Sequence, residues 1–241
     1  MKKGYKHNFY KDRHQSTIDA ANNILSLVIE ALPKLESAVD FGCGVGTWLS
    51  VLKEKGVSDV RGLEGAWVEK NLLKISEEEL TEVNFEKGVK LDKKYDLAIT
   101  LEVAEHLKPE TASKFVQSLT TASDYVMFSA AIPFQGGTNH VNEQWPDYWV
   151  DLFEKENYVL IDFIRMKIWN DEAIPVWYRQ NILMFVKKEK LDSMKLPAPE
   201  EFRFPLSVVH PETYISKMNK LYSVKGNLKM LPRSIKRWFK K

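Results

Sequence analysis

Ser37-Ala-Val-Asp-Phe-Gly-Cys-Gly-Val-Gly46 is the stretch whose reading decides the fold. A short apolar run, the signal of a buried strand, passes directly into three glycines at alternate positions. Residues 47–55 follow as a helical pattern that closes at Gly56, a residue suited to a helix C-cap. Residues 57–63 read as the next strand, with Glu64-Gly65 at its end. Strand, loop, helix and strand in this order make one βαβ unit, which pairs in parallel through a right-handed crossover.

Glycine at 42, 44 and 46 permits positive φ and lets the backbone come close to a ligand. The helix beyond the loop offers unpaired N–H groups at its start. Asp40 precedes the loop, and Glu64 follows Gly46 by 18 residues, at the end of a strand where a carboxylate can accept both hydroxyls of a ribose. Together these features read as a nucleoside site. A dinucleotide fold requires Gly-x-Gly-x-x-Gly, whereas here the third glycine comes one residue early. Asp40 also suits a cationic amino-acid group better than a pyrophosphate. A purely structural turn and a nicotinamide site are the competing readings.

Outward from this unit the alternation continues. Residues 15–32 predict a helix capped by Ser16 or Thr17, with Ile18, Ala21, Leu25, Val28 and Leu32 on one face and Pro33 as its stop. Downstream, 72–80 reads as helix, 82–85 as a weak strand, 95–101 as a strong one, 111–121 as helix, 125–130 as a fifth strand and 147–156 as helix. The apolar runs 158–169 and 181–187 fit an antiparallel pair. The expected architecture is α/β: an open, mostly parallel sheet with helices on both faces and no internal repeat.

The bulk properties bound the rest. A chain of 241 residues holds one substantial domain with a modest appendage. The expected division is an N-terminal helical segment (1–36), a core (37–188) and a basic extension (189–241). Cys43 is the single cysteine, which excludes an internal disulfide and a multi-cysteine metal site. The start MKKGYKHNFYKDRHQ has no apolar stretch of signal-peptide type, and no run approaches a membrane span, so a cytoplasmic protein is expected. Residues 213–241 hold nine of the 35 Lys and Arg and none of the 33 Asp and Glu, which leaves the first 212 residues at about −7.

Val39-Asp-Phe-Gly-Cys-Gly-Val-Gly46 and Tyr95-Asp-Leu-Ala-Ile-Thr-Leu-Glu-Val-Ala-Glu-His-Leu107 resemble motif I and the post-strand-4 motif of class I S-adenosylmethionine (SAM)-dependent methyltransferases. The resemblance covers about residues 13–187. It implies a Rossmann-like, seven-stranded sheet whose last strand is antiparallel. It also implies that Asp40 with Gly42, Gly44 and Gly46 holds the methionine end of SAM, that Glu64 holds the ribose, and that Asn84 and Phe85 meet the adenine, with Leu101 beside the cofactor. Many relatives carry Asp where this chain has Asn84. The N-terminal segment, with Tyr10, Arg13, His14 and Thr17, is expected as a lid, with Arg13 on the cofactor carboxylate.

A second constellation combines Glu102, Glu105 and His106 with His140. If a helix begins just after strand four, the first three fall at i, i+3 and i+4 on one face, and His140 lies in the loop after strand five. Two carboxylates and two imidazoles suit Mn²⁺, Fe²⁺ or Zn²⁺ better than Ca²⁺, and Mg²⁺ is a further candidate. The arrangement is similar to small-RNA 3′-end 2′-O-methyltransferases, whose Glu-x-x-Glu-His and later His bind a metal, and ubiquinone-pathway O-methyltransferases carry the short motif. The competing readings are a metal-free base at His106 or His140 and acids that merely complement a helix start.

The loop around residues 136–149 reads as the substrate-facing element. Asn139, Asn142 and Glu143 offer polar contacts and Trp145 a flat apolar face, whereas Trp149 and Phe153 read as core. Arg179 is a candidate for an acceptor phosphate or carboxylate. His140-Val-Asn-Glu-Gln-Trp-Pro146, with Val209-His-Pro211, resembles methyltransferases of bacterial surface-polysaccharide (capsule or lipopolysaccharide) biosynthesis. That resemblance implies a glycan, nucleotide-linked or other small-molecule acceptor. The histidines tilt the reading towards O-methylation, with N-methylation of an amine or amino sugar, RNA 2′-O-methylation and a non-catalytic SAM-binding subunit as alternatives. For the basic tail, a solvated helix, a contact with anionic membrane and a nucleic-acid contact compete. The last ranks lowest, because the rest of the chain is acidic.

Overall fold

The computed structural model describes residues 7–196 and 205–238. The chain divides into two compact units, Met1–Ser207 and Val208–Lys241. In the first, strands β1 (Ser37–Phe41), β2 (Asp59–Glu64), β3 (Leu80–Glu82), β4 (Leu97–Leu101), β5 (Tyr125–Ser129), β6 (Tyr158–Leu160) and β7 (Leu183–Lys187) form one seven-stranded sheet in the order β3-β2-β1-β4-β5-β7-β6. β7 runs antiparallel to both neighbours, and the other pairs are parallel. This is the seven-stranded, mostly parallel sheet with an antiparallel β7 that the resemblance implies.

Helices α1 (His7–Ala31), α2 (Thr47–Glu54), α3 (Ala112–Ala122), α4 (Pro146–Lys155), α5 (Phe163–Ile168) and α6 (Val176–Asn181) cover the sheet. Successive strand residues alternate between its faces. Leu97, Ile99, Met127 and Met184 join Ile24, Leu25, Val28, Leu49 and Ile164 in one core. Val39, Ala98, Val126, Phe128 and Phe185 join Phe115, Leu119, Trp149 and Phe153 in the other. Phe153 and Phe185 stack at 3.8 Å. The first core also takes in Leu191, Met194 and Leu196 from the segment after β7, and Lys195 N donates to Ala31 O (2.8 Å).

The strand order reverses between β1 and β4, the switch point at which open α/β sheets bind ligands beyond the strand C-termini. Phe41 pairs with Leu63 and Leu101 with Ser129, so the loops after β1, β2, β4 and β5 leave one edge. Phe128 pairs with Leu183, which brings the start of antiparallel β7, and Asn181 before it, to that same edge.

Several local expectations need correction. The first helix starts at His7, so Ser16 and Thr17 are interior to it rather than caps. Residues 72–80 are not a helix. Short 3-10 turns at Lys70–Leu72 and Glu77–Glu79 lead into β3 at Leu80, and Ile75 turns inward beneath Gly46 and Gly62. The run 158–169 is a strand only to Leu160; Asp162 then binds Arg165 in a buried ion pair, and α5 begins. Between the two apolar runs, α6 precedes β7.

The second unit contains α7 (Pro211–Tyr222) and α8 (Val224–Trp238). Among the described residues no helix is long and apolar enough to cross a membrane.

Candidate active site

The glycine loop follows β1. Gly42, Gly44 and Gly46 take φ of 86°, 56° and 82°, a region that costs other residues about 1–2 kcal/mol. Gly46 is the residue from which α2 begins. A side chain at Gly42 would collide with Val103, and one at Gly46 with Ile75, so these glycines serve close packing as well as backbone freedom. Gly42 N and Cys43 N both donate to Leu63 O (2.8 and 3.2 Å), tying the loop to the end of β2.

Glu64, at the end of β2, closes the same structure. Its Oε2 accepts from Gly44 N (2.9 Å) and its Oε1 from Gly65 N (2.8 Å). Burial raises its pKa and these two amides counter the rise. A carboxylate has about four lone-pair positions, so two backbone bonds leave acceptor capacity for a diol. Asp40 is buried beside it, and burial, followed by repulsion from Glu64, holds its pKa well above the usual carboxylate range. Asp40 is therefore a buried acid placed where a cation would relieve it.

The second cluster is built by β4, β5 and the loop after β5. Glu102 follows β4 with φ 57°, a left-handed conformation that no helix interior accommodates, so the expected helical face of Glu102, Glu105 and His106 does not form. Only a 3-10 turn, Ala104–His106, is present. Glu102 N donates to Ser129 O (3.0 Å), and its carboxylate accepts from Gln135 Nε2 (2.9 Å) and Asn181 Nδ2 (3.0 Å). Glu102 is thus held by amides beside Glu105, and outside the group of three whose ligand atoms converge.

Glu105, His106 and His140 do come together. Their ligand atoms lie within 4.8 Å of one another, the group among the described residues that could hold a metal ion. Glu105 O accepts from Val141 N (2.9 Å) and Asn142 N (3.0 Å), which draws the later loop onto the earlier turn. Glu105 is 0% exposed, and neither carboxylate oxygen has a hydrogen-bond partner of good geometry among the described residues, although the amides of Glu105 itself and of Ala131 lie close enough to temper its charge. Burial, and then the charge of Glu102, push its pKa well up. His140 Nε2 lies 4.0 Å from Glu105 Oε1, and its ring meets that of His106 edge-on at 4.8 Å. Burial, and then His140, lower the pKa of His106.

Glu143, expected to face substrate, instead organises the loop. Its Oε1 accepts from Gly136 N (2.5 Å) and pairs with His140 Nδ1 (2.9 Å), while Oε2 accepts from Phe134 N (2.9 Å). This fixes the His140 ring and leaves Nε2 directed at the cluster. Gly137 leaves room for that ring, because a Cβ there would overlap it.

The remaining predicted residues divide. Asn139 has φ 62° and its carbonyl accepts from His106. Asn142 is buried, with its oxygen bonded to Gln144. Trp145 is 40% exposed at the rim, and Trp149 and Phe153 are core as expected. Arg179 is buried and donates to Trp169 O (3.4 Å). Asn84 caps a 3-10 turn through Glu86 N (3.0 Å) and is exposed. Phe85 is buried against Phe41 and Phe115, so its ring does not face a nucleobase. Leu101 packs at the edge of the first core. The side chains of Tyr10, Arg13 and His14 lie outside the described residues. The bonds of Gln135 and Asn181 to Glu102 are what sequence reasoning missed, although residues 177–181 before the last strand read as a neighbouring edge of the site.

The family described as "Methyltransferase domain" matches residues 13–165, more than half of the chain. The chain belongs to that family. This methyltransferase shares its fold with the sugar N-methyltransferase KedS8 from Streptoalloteichus (13% identity, 78% of this chain and 94% of that one, TM-score 0.60). It also shares it with DesVI of Streptomyces venezuelae (13%, 77% and 100%, TM-score 0.55), and with the SAH-bound magnesium protoporphyrin IX methyltransferase of Synechocystis (18%, 78% and 90%, TM-score 0.51). No curated protein matches this methyltransferase.

Proposed function

We propose that this methyltransferase transfers the methyl group of SAM to a hydroxyl of a sugar or sugar-linked acceptor, aided by a divalent cation at Glu105, His106 and His140. One observation carries the reading: a fully buried carboxylate with unpartnered oxygens faces two imidazoles at the same sheet edge as the glycine loop. Val103, between Glu102 and Glu105, packs against Gly42, so the two clusters adjoin.

On the donor side, Asp40 receives the ammonium of the methionine group and Glu64 the ribose hydroxyls. Arg13 is proposed for the methionine carboxylate. The reaction is an in-line displacement: the acceptor hydroxyl gives up its proton to water, its oxygen bonds the methyl carbon as the carbon–sulfur bond breaks, and the sulfonium leaves as a neutral thioether. Holding the two partners in line is worth about 7–11 kcal/mol.

On the acceptor side, the donor set of one carboxylate and two imidazoles fits Mn²⁺, Fe²⁺, Zn²⁺ or Mg²⁺ with positions left for acceptor oxygens. When bound, such a cation would offset the Glu105 charge and acidify the acceptor hydroxyl. Glu143 holds His140 in the ring orientation that this requires. Phe134, 84% exposed, and Trp145 offer flat faces to a sugar ring. The acceptor class rests on the likeness of residues 140–146 to surface-polysaccharide methyltransferases, and a role in capsule assembly in the cytoplasm is part of the same proposal.

A second reading has its own support. The Glu143–His140 bond and the lowered pKa of His106 keep a neutral imidazole ready to take the hydroxyl proton without a metal. Calorimetric titration with SAM, S-adenosylhomocysteine and NAD tests the donor: the first two bind and NAD does not. Binding of NAD without SAM contradicts the whole reading. Metal analysis of wild type against His140→Ala then separates the two acceptor-side readings.

A further inference from the structure

α8 carries Val224, Leu228, Leu231, Ile235 and Trp238 at spacings of 4, 3, 4 and 3, which places them on one stripe of about 80°. All five are exposed, from 48% at Ile235 to 79% at Val224. By register, positions 225, 229, 233, 236 and 237, each Lys or Arg, span a separate arc of about 120° on the helix. In α7, Tyr214, Ile215, Leu221 and Tyr222 are exposed as well. The segment 213–241 has nine cations and no acid.

We propose that α8 lies along the surface of an anionic lipid bilayer, its apolar stripe inserted between headgroups and its cationic positions on the acidic lipids. The charge pattern selects this occupant. A second copy of the helix would answer the apolar stripe but bring together segments of one sign only. A nucleic acid would answer the cations, yet Val, Leu, Leu and Ile have no role against phosphates, and only Trp238 on the stripe can stack on a base. An acidic bilayer surface takes both halves at once. Fifteen residues rise about 22 Å, short of a bilayer core of about 30 Å, so the helix lies in the interface rather than spanning it. Trp238, near its end, has the side chain that favours the headgroup level. This inference does not depend on which acceptor is methylated.

Flotation of the full chain with vesicles tests it. The chain should rise with vesicles of phosphatidylcholine and phosphatidylglycerol, stay behind with phosphatidylcholine alone, and be released in part by high salt. Leu228→Glu with Leu231→Glu should lower the vesicle-bound fraction at least about tenfold while leaving SAM affinity unchanged. Lys225→Gln with Lys229→Gln keeps the apolar stripe and should also weaken binding, which covers the case in which the acidic variant loses its helix. Equal flotation of wild type and both variants overturns the proposal. So does tight binding to duplex DNA or RNA without flotation, or a dimer in solution that the Leu→Glu pair dissolves.

Discussion

The donor side and the acceptor side lie at the same sheet edge and are completed in opposite ways. Around Gly42, Gly44, Gly46 and Glu64, left-handed backbone falls on glycine, and both Glu64 oxygens already accept backbone N–H groups. Around Glu105, His106 and His140, left-handed backbone falls on Glu102, Phe134 and Asn139, and the Glu105 oxygens lack partners. Strain of that kind costs about 1–3 kcal/mol per residue and persists only where the surroundings enforce it. Here the enforcing contacts are the Glu143 carboxylate and the amides of Val141 and Asn142 on Glu105 O. On the proposed roles, the donor pocket is preformed, whereas the acceptor cluster is held together at a cost in stability that a bound cation would offset.

Substitutions can break this contrast, and the largest effect is expected from Gly42→Val. The new side chain meets Val103 in a backbone conformation hostile to a branched residue, so SAM affinity should fall at least about a hundredfold, or 2.7 kcal/mol, as calorimetry would register. Glu64→Gln comes next. It loses one acceptor oxygen and the charge that hold Gly44 N and Gly65 N, and the dissociation constant for SAM should rise about 10- to 100-fold, with the fold intact by circular dichroism.

On the acceptor side the sign reverses. Glu105→Gln removes a buried acid whose raised pKa costs the folded state stability above the ordinary carboxylate range, so the metal-free protein should melt higher than wild type at neutral pH while methyl transfer falls at least about tenfold. Gly137→Ala should lower turnover several-fold with little change in melting temperature, because the new methyl group displaces the His140 ring. Unchanged turnover would show that His140 is not in the machinery.

Asp40 gives the smallest and most diagnostic effect. Its folded pKa is raised, so between the ordinary carboxylate range and that raised value the folded state binds more protons than the unfolded one. The stability of the SAM-free protein should therefore fall as pH rises through that window. Asp40→Asn should flatten the slope and weaken SAM. A melting curve series from pH 4 upward that shows no difference between the two proteins would contradict the proposed state of Asp40.

The donor side was legible in sequence because it is local: strand, glycines, helix and acid follow within 30 residues, and spacing alone orders them. The acceptor side was legible only as a list of residue types. Glu102, Glu105 and His106 fit a helical face by spacing, and nothing in the letters shows that Glu102 adopts φ 57°. His140 reaches Glu105 through backbone bonds across more than 30 residues, and Gln135 and Asn181 reach Glu102 from two further elements. Residues 72–80 misled for a related reason: Leu72, Leu73 and Ile75 mimic a helical stripe, but Ile75 is there to fill the space beneath Gly46.

Glu105, His106 and His140 are proposed to bind a divalent cation. The most direct test is to strip the protein with chelator, dialyse it, and titrate Mn²⁺ and Zn²⁺ while following the melting temperature of wild type and Glu105→Gln. At about 100 times the dissociation constant a bound ion contributes about 2.7 kcal/mol, so the wild type should melt several degrees higher with metal and the variant should not respond. A wild-type melting temperature indifferent to both ions, or an equal rise in the variant, would contradict it.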